Sequence, residues 1–178
     1  MGKEIYTREE FEIERTKWAE AMAEDKELER DALDVFVRAD KHNWIHQTNW
    51  LGEPSLQTAE DLQTFQDIIF KTKPKFIIES GVAWAGSLLF YASMIKILDL
   101  DTKIIGVDIY IPDDLRERIY SFDIAKNIQL INASSIEEST IKKLESIIGD
   151  SKEVLVHLDS HHTHEHVLKE LELYEKFV

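Results

Sequence analysis

One short segment near the end of the sequence contains most of the side chains that could perform acid–base or metal chemistry. Five of the seven histidines lie between His157 and His166, and Asp159 stands among them. A carboxylate can bind a hard cation, and an imidazole titrates near neutral pH, so Asp159 is a candidate metal ligand and His162 a candidate general base. His162 and His166 also have the i, i+4 spacing of a helical zinc pair. The remaining histidines of interest are expected to be exposed at the start of a helix: His161, His164 and His166.

A second candidate site is the segment from Glu79 to Ser87, which follows an apolar run and precedes a helical pattern. Gly81 and Gly86 would allow a tight turn and a close approach of a ligand to the backbone, and the start of the helix offers free N–H groups. The G-x-x-x-x-G-S spacing matches neither the dinucleotide fingerprint nor the P-loop. An acid at the strand end, Glu79, suits a cationic or hydroxyl-bearing cofactor better than a pyrophosphate. A tight turn without a ligand remains the alternative.

Asp108 is a third candidate, because it ends the next apolar run along the chain. An acid in this position commonly accepts hydrogen bonds from ribose hydroxyls. On its own it could equally be a solvated acid at a strand end. Its position relative to the Gly81 segment favours a ligand.

The elements predicted from Lys75 onward would bring these segments together. Short apolar runs alternate with helical patterns, which indicates an α/β fold, a Rossmann-like doubly wound parallel sheet with helices on both faces. Ligands bind at the carboxyl ends of the strands in such sheets. The strands are predicted over residues 76–78, 103–107, 128–131 and 154–158.

The N-terminal part reads differently. Residues 1–50 are predicted to form a helical extension of two partly buried helices, the first beginning at the capping-box pattern of Thr7 and Glu10. Residues 51–178 are predicted to form the α/β domain.

Composition excludes several classes of function. A net charge of −14 without a basic patch argues against nucleic acid, and no apolar run approaches the roughly 20 residues of a membrane helix. The absence of cysteine excludes disulfides and thiolate metal sites. A small-molecule substrate and a cytoplasmic location are expected.

Taken together, these segments resemble the cephalosporin hydroxylase family, which also contains rhamnosyl O-methyltransferases. The resemblance runs from about Trp50 to the C-terminus. The motifs that carry it, in the family's order, are Trp50-Leu51-Gly52-Glu53-Pro54 with Gln57 and Asp61-Leu62, Lys73-Pro74 through Ile78 to Ala83, Gly86-Ser87, Ile105 to Ile109, and Leu158-Asp159-Ser160 with His162 to Leu168.

The resemblance implies a class I methyltransferase fold that binds S-adenosylmethionine, and an O-methyltransferase acting on a hydroxyl of a sugar or secondary metabolite. Asp159 would bind magnesium, and His162 would deprotonate the acceptor hydroxyl. Glu79, Gly81 and Ser87 would line the methionine moiety, with Asp108 at the ribose and Ser134 near the adenine. The full set of implied cofactor-binding residues is Glu79, Gly81, Ala83, Gly86, Ser87, Asp108 and Ser134.

The chain departs from the family in two ways. Ala85 stands where a second glycine is usual. The family fold also continues with further strands and an acidic pair that completes the magnesium site, so we expect a domain incomplete at its C-terminus. Family strand order, 3-2-1-4, would leave the fourth strand at an edge, paired by absent residues or in a homo-oligomer. Two alternatives stay open: a hydroxylase with iron on His157 and Asp159, and a non-catalytic fragment.

Overall fold

The computed structural model describes residues 7–178; residues 1–6 of the predicted extension lie outside the described residues. The chain divides into two compact units at the Trp44–Ile45 junction. None of the helices within residues 7–178 has the length and apolar character that crossing a membrane requires.

The first unit contains the two predicted helices, α1 (Arg8–Glu24) and α2 (Lys26–Asp40). Thr7 caps α1 as expected: its Oγ1 accepts from the Glu10 amide at 3.2 Å, and Glu10 Oε2 accepts from the Thr7 amide at 2.9 Å. Neither helix contains a buried residue, so their apolar side chains are more exposed than the predicted partial burial.

The second unit begins with a short antiparallel hairpin of β1 (Asn49–Trp50) and β2 (Glu53–Pro54), followed by α3 (Ala59–Thr72). Thr58 and Asp61 form a reciprocal capping box that sets the start of α3. The loop between the hairpin and α3 is therefore held at both ends.

The core of the second unit is a four-stranded parallel sheet. Its strands are β3 (Phe76–Ser80), β4 (Lys103–Asp108), β5 (Ile128–Asn132) and β6 (Val154–Leu158). Their spatial order is β5-β4-β3-β6, the predicted order of third, second, first and fourth strand. Among the described residues β6 pairs with β3 alone and forms one edge of the sheet.

Helices cover both faces of this sheet, because its strands are apolar on both sides. Neighbouring residues of β3 enter opposite cores: Ile77 packs in one cluster and Ile78 in the other. The first cluster includes residues of α4 (Gly86–Ile97) and α5 (Asp113–Tyr120), and the second includes residues of α6 (Glu138–Ile148) and α7 (His164–Tyr174). The predicted Rossmann-like α/β fold is confirmed, and the carboxyl ends of all four strands meet at one edge.

Candidate active site

A cavity of about 910 Å³ opens at the carboxyl ends of the strands. Its volume is within the range of small-molecule and cofactor sites. The loops after β3, β4, β5 and β6 all contribute to it, together with residues of the segment that precedes α3. Most of the predicted site residues line this one cavity: Gly81, Ala83, Ser87, Asp108, Ser134, Asp159 and His162.

The loop after β3 turns sharply, as its glycine suggested. Gly81 has φ +90°, a value that L-residues rarely adopt, and its amide donates to the Val107 carbonyl at 2.8 Å. A Cβ at Gly81 would collide with the backbone of Asp159 and Ser160. The glycine is therefore required for contact between the two loops as well as for the turn. A substitution at Gly81 would disturb this packing before it could obstruct a ligand.

Two predicted cofactor-binding residues, Glu79 and Gly86, do not line the cavity. Gly86 packs against the backbone of Pro54 and Ser55, where a Cβ would collide with the Pro54 carbonyl. Glu79 is fully buried beneath the loop. The expectation that Glu79 lines the methionine moiety needs correction, because a carboxylate without exposed surface acts on a ligand only through its neighbours.

Glu79 is the centre of a buried polar network. Ser87 Oγ donates to Glu79 Oε2 at 2.8 Å, and Tyr91 Oη donates to Oε1 at 3.4 Å. His157 Nδ1 lies 3.0 Å from both Glu79 Oε1 and Tyr91 Oη. Burial raises the pKa of Glu79, and the hydrogen bonds from His157 and Ser87 do not cancel that effect. Glu79 thus orients Ser87, which does line the cavity.

His157 connects this network to the candidate catalytic residues. Burial by itself would lower its pKa, but the hydrogen bond and charge of Glu79, helped by the charges of Asp159 and Asp61, raise the pKa above its ordinary value. Its ring packs against Phe65, with ring centroids 4.6 Å apart. Its other nitrogen, Nε2, lies 3.9 Å from Asp159 Oδ2.

Asp159 itself is half-buried at the cavity wall. Gln57 Nε2 donates to its Oδ2 at 2.6 Å, and His162 Nε2 lies 3.7 Å from its Oδ1. The expected pairing of Asp159 with His162 at one site is therefore present. Gln57 was part of the family resemblance, but nothing in the sequence pointed to its contact with an acid 102 positions away.

Asp108 reaches the cavity, and its carboxylate also organises the loop after β3. Oδ2 accepts from the amides of Val82 and Ala83 at 2.8 and 3.2 Å, and Oδ1 accepts from the Tyr110 amide at 2.9 Å. Each carboxylate oxygen has lone pairs beyond these bonds, so Asp108 can still accept from a ligand hydroxyl.

The other histidines of the segment divide into two groups. His161 and His164 are exposed, as expected. His166 is not: its side chain is 18% exposed, and Nε2 lies 3.2 Å from Ser135 Oγ and 3.1 Å from Ser160 Oγ. Ser160 Oγ in turn donates to the buried Glu170 at 2.7 Å. The helical zinc pair is wrong, because α7 starts at His164 and His162 precedes it.

Within the described residues no three or more His, Asp or Glu side chains are grouped to hold a metal ion. The alternative iron site needs a second histidine beside His157 and Asp159, and no such three-ligand group is present in this part of the chain, residues 7–178. Magnesium fits Asp159 in part: this ion keeps several waters and takes one or two protein carboxylates, of which Asp159 offers one.

The charge of the cavity limits what it can bind. Its lining contains the carboxylates of Asp108 and Asp159 and no lysine or arginine among the described residues. Phosphate sites in proteins use basic side chains or Gly-rich backbone cradles, whereas an acidic cavity attracts cations. The site therefore suits a cationic, hydroxyl-bearing ligand better than a phosphorylated one.

Comparison with known proteins shows similarity to a family of O-methyltransferases. The model of the family described as Rhamnosyl O-methyltransferase/CmcI matches residues 42–178. A rhamnosyl O-methyltransferase of Mycobacterium leprae (strain TN) is 27% identical over 143 residues, covering 77% of this chain and 61% of the relative. One from Mycobacterium tuberculosis (strain H37Rv) is 22% identical over 148 residues, covering 77% and 57%. The chain thus spans about three fifths of the length of the curated relatives it matches.

Solved structures share the fold. An apo structure of CmcI superposes with a TM-score of 0.54 at 20% identity, covering 75% of this chain and 53% of that one. CmcI with Mg and SAM gives a TM-score of 0.53 at 21% identity over the same shares. A putative caffeoyl-CoA O-methyltransferase from Staphylococcus aureus gives 0.52 at 14% identity, covering 67% and 53%.

Proposed function

Since the chain belongs to the Rhamnosyl O-methyltransferase/CmcI family, we propose that it forms the cofactor cavity and the catalytic base of an S-adenosylmethionine-dependent O-methyltransferase. The observation that carries this proposal is the meeting of the Gly81 loop, Asp108, Asp159 and His162 at one acidic cavity. The solved CmcI structure with Mg and SAM and the rhamnosyl O-methyltransferases named above support the same activity.

The residues present suit S-adenosylmethionine in charge, and the cavity of about 910 Å³ has the volume of a cofactor site. Asp108 would accept from the ribose hydroxyls, Ser134 would lie near the adenine, and Gly81, Ala83 and Ser87 would line the methionine moiety. The described part of the lining contains the carboxylates of Asp108 and Asp159 and no lysine or arginine, which suits a ligand with a sulfonium cation. When bound, this cofactor supplies an electrophilic methyl group.

On the chain's side, the reaction needs a group that removes the acceptor proton. His162 lies at the cavity wall with Nε2 3.7 Å from Asp159 Oδ1, so the neutral imidazole would accept the proton of an acceptor hydroxyl and Asp159 would stabilise the resulting imidazolium. Holding the acceptor hydroxyl in line with the methyl group of the cofactor would contribute as much to the rate of methyl transfer as the base does.

Magnesium would be held by Asp159 together with water and the acceptor. Bound there, the ion would lower the pKa of the acceptor hydroxyl and orient it. The acceptor is proposed to be a hydroxyl of a sugar or a secondary metabolite, in line with the rhamnosyl O-methyltransferases among the relatives.

We further propose that the protein is a homo-oligomer that pairs along β6. The outer edge of β6 has no partner among the described residues, and its five residues are only half-buried. Unpaired backbone groups on an apolar strand favour association with another strand. Light scattering at micromolar concentration tests this: a monomer would contradict it.

The activity is tested by calorimetry. Titration with S-adenosylhomocysteine, with and without magnesium, should show one site per chain, and Asp108→Asn should weaken binding because it replaces one oxygen that holds the loop and the ribose. Glu117→Gln, on exposed surface of α5, is the matched control. Absence of binding in the folded wild-type protein would contradict the proposal.

A further inference from the structure

Gln57 is buried, only 7% exposed, and its side-chain amide reaches across the cavity wall to Asp159. The Nε2–Oδ2 distance of 2.6 Å is short for a hydrogen bond, as expected for a donor facing a charged acceptor. Because an ionised carboxylate only accepts, the orientation of the amide follows: its NH₂ group must face Asp159. The mechanism above gives Gln57 no role.

The loop that carries Gln57 is itself held in place. Thr48 Oγ1 donates to the Gln57 carbonyl at 2.7 Å, and Ser55 Oγ donates to Thr48 Oγ1 at 3.1 Å. The following residue, Thr58, is fixed as the cap of α3. The side chain of Gln57 therefore projects from a backbone with little freedom, which is what a group that sets the position of another requires.

The two oxygens of Asp159 have different surroundings. Oδ2 faces Gln57 Nε2 at 2.6 Å and His157 Nε2 at 3.9 Å. Oδ1 has no hydrogen bond within residues 7–178 and lies 3.7 Å from His162 Nε2. One oxygen is thus anchored to the protein, while the other remains available on the side of the proposed base.

We propose that Gln57 is a positioning residue: it anchors Asp159 through Oδ2 and so presents Oδ1 to the divalent cation and the acceptor. This inference rests on the proposed function, in which Asp159 binds the metal and His162 is the base. It adds a role for Gln57, which is neither. Hydrogen-bonding partners of metal ligands typically change metal affinity by about 10–100-fold when they are removed.

The test measures cation binding directly, apart from turnover. Mn²⁺, a spectroscopic substitute for magnesium, is titrated into the wild-type protein, Gln57→Met and Gln57→Asn, and free Mn²⁺ is followed by electron paramagnetic resonance. Methionine keeps the length and loses the donor; asparagine keeps the amide but is one methylene too short. Gln63→Met, on the exposed face of α3, is the matched control.

Both Gln57 variants should bind Mn²⁺ about 10–100-fold more weakly, while their affinity for S-adenosylhomocysteine stays within about twofold of wild type. Wild-type Mn²⁺ affinity in a folded Gln57→Asn protein would overturn the inference, and this variant decides if Gln57→Met does not fold. A wild-type protein that binds no Mn²⁺ would also overturn it. Failure to bind S-adenosylhomocysteine would instead contradict the proposed function, so the two failures are distinguishable.

Discussion

Gly81, at the end of β3, packs directly against the backbone of Asp159, at the end of β6. The loop after β3 and the proposed metal ligand are therefore in direct contact. A side chain at position 81 would therefore have to displace the backbone of Asp159 and Ser160.

Gly81→Ala is expected to destabilise the fold more than Gly52→Ala, the same substitution at another glycine with positive φ. Gly52 also has positive φ, +94°, but a Cβ there meets nothing within 4 Å. Gly52→Ala should therefore lower the free energy of unfolding by about 1–2 kcal/mol, the cost of the left-handed conformation. Gly81→Ala adds a backbone collision to that cost. Denaturant unfolding of both variants measures the difference, and equal losses would contradict the proposed packing.

The alanines of the same loop provide a second comparison. Ala83 and Ala85 have φ +46° and +62°, so replacement by glycine should relieve about 1–2 kcal/mol of backbone strain. Glycine also gives the unfolded chain more freedom, which offsets about 0.4–1 kcal/mol of that gain. Ala83 is exposed, whereas Ala85 is buried and would also lose a methyl contact of about 0.8 kcal/mol. Ala83→Gly should therefore stabilise the protein more than Ala85→Gly, as measured by chemical denaturation. Equal gains in the two variants would show that the buried methyl contributes nothing, and a larger gain in Ala85→Gly would contradict the prediction.

His162→Gln should lower turnover by about 10²–10⁴-fold, the usual contribution of a general base. Its side chain is 73% exposed, so thermal stability and cofactor affinity should not change. His164→Gln, at another exposed histidine, is the control and should retain activity. The assay follows S-adenosylhomocysteine production with an accepted sugar substrate, and normal turnover in His162→Gln would exclude the proposed base.

Stability should fall as pH rises through the pKa of His157. The folded-state pKa values of His157 and Glu79 are both raised, so the native state binds protons more tightly than the unfolded chain. The contribution of His157 is fully present below its unfolded value of 6.5 and is lost above its raised folded value. Denaturant midpoints in chelator-containing buffer between pH 6 and pH 9 measure this trend.

Glu79→Gln removes the carboxylate that raises the His157 pKa, so the decline of its midpoint with pH should be smaller in the same window. Glu117→Gln removes an exposed carboxylate and serves as the control, with a wild-type profile. A Glu79→Gln profile that matches wild type would show that this pair does not determine the pH dependence.

The sequence by itself determined the main strands and helices of the α/β domain, and the order of the strands followed from the family resemblance. Apolar runs bounded by Pro74, Asp108 and Gly149 are typical of strands buried on both faces, and alternation with helical patterns leaves few ways to cover them. The strand ends then converge, so Gly81, Asp108, Asp159 and His162 could be assigned to one site before any coordinates.

Only the tertiary structure decided which polar atoms meet. The contact between Gln57 and Asp159 depends on how a loop and a strand end 102 positions apart are packed, and local pattern contains no information on that distance. Glu79 was expected to contact the cofactor because strand ends face the cavity. In the structure it is fully buried and its carboxylate contacts His157 instead. His166 likewise lies where a helix start is normally exposed, but contact with Ser135, in the turn after β5, encloses it. Packing between distant segments, rather than residue type, decides burial and hydrogen-bond partners.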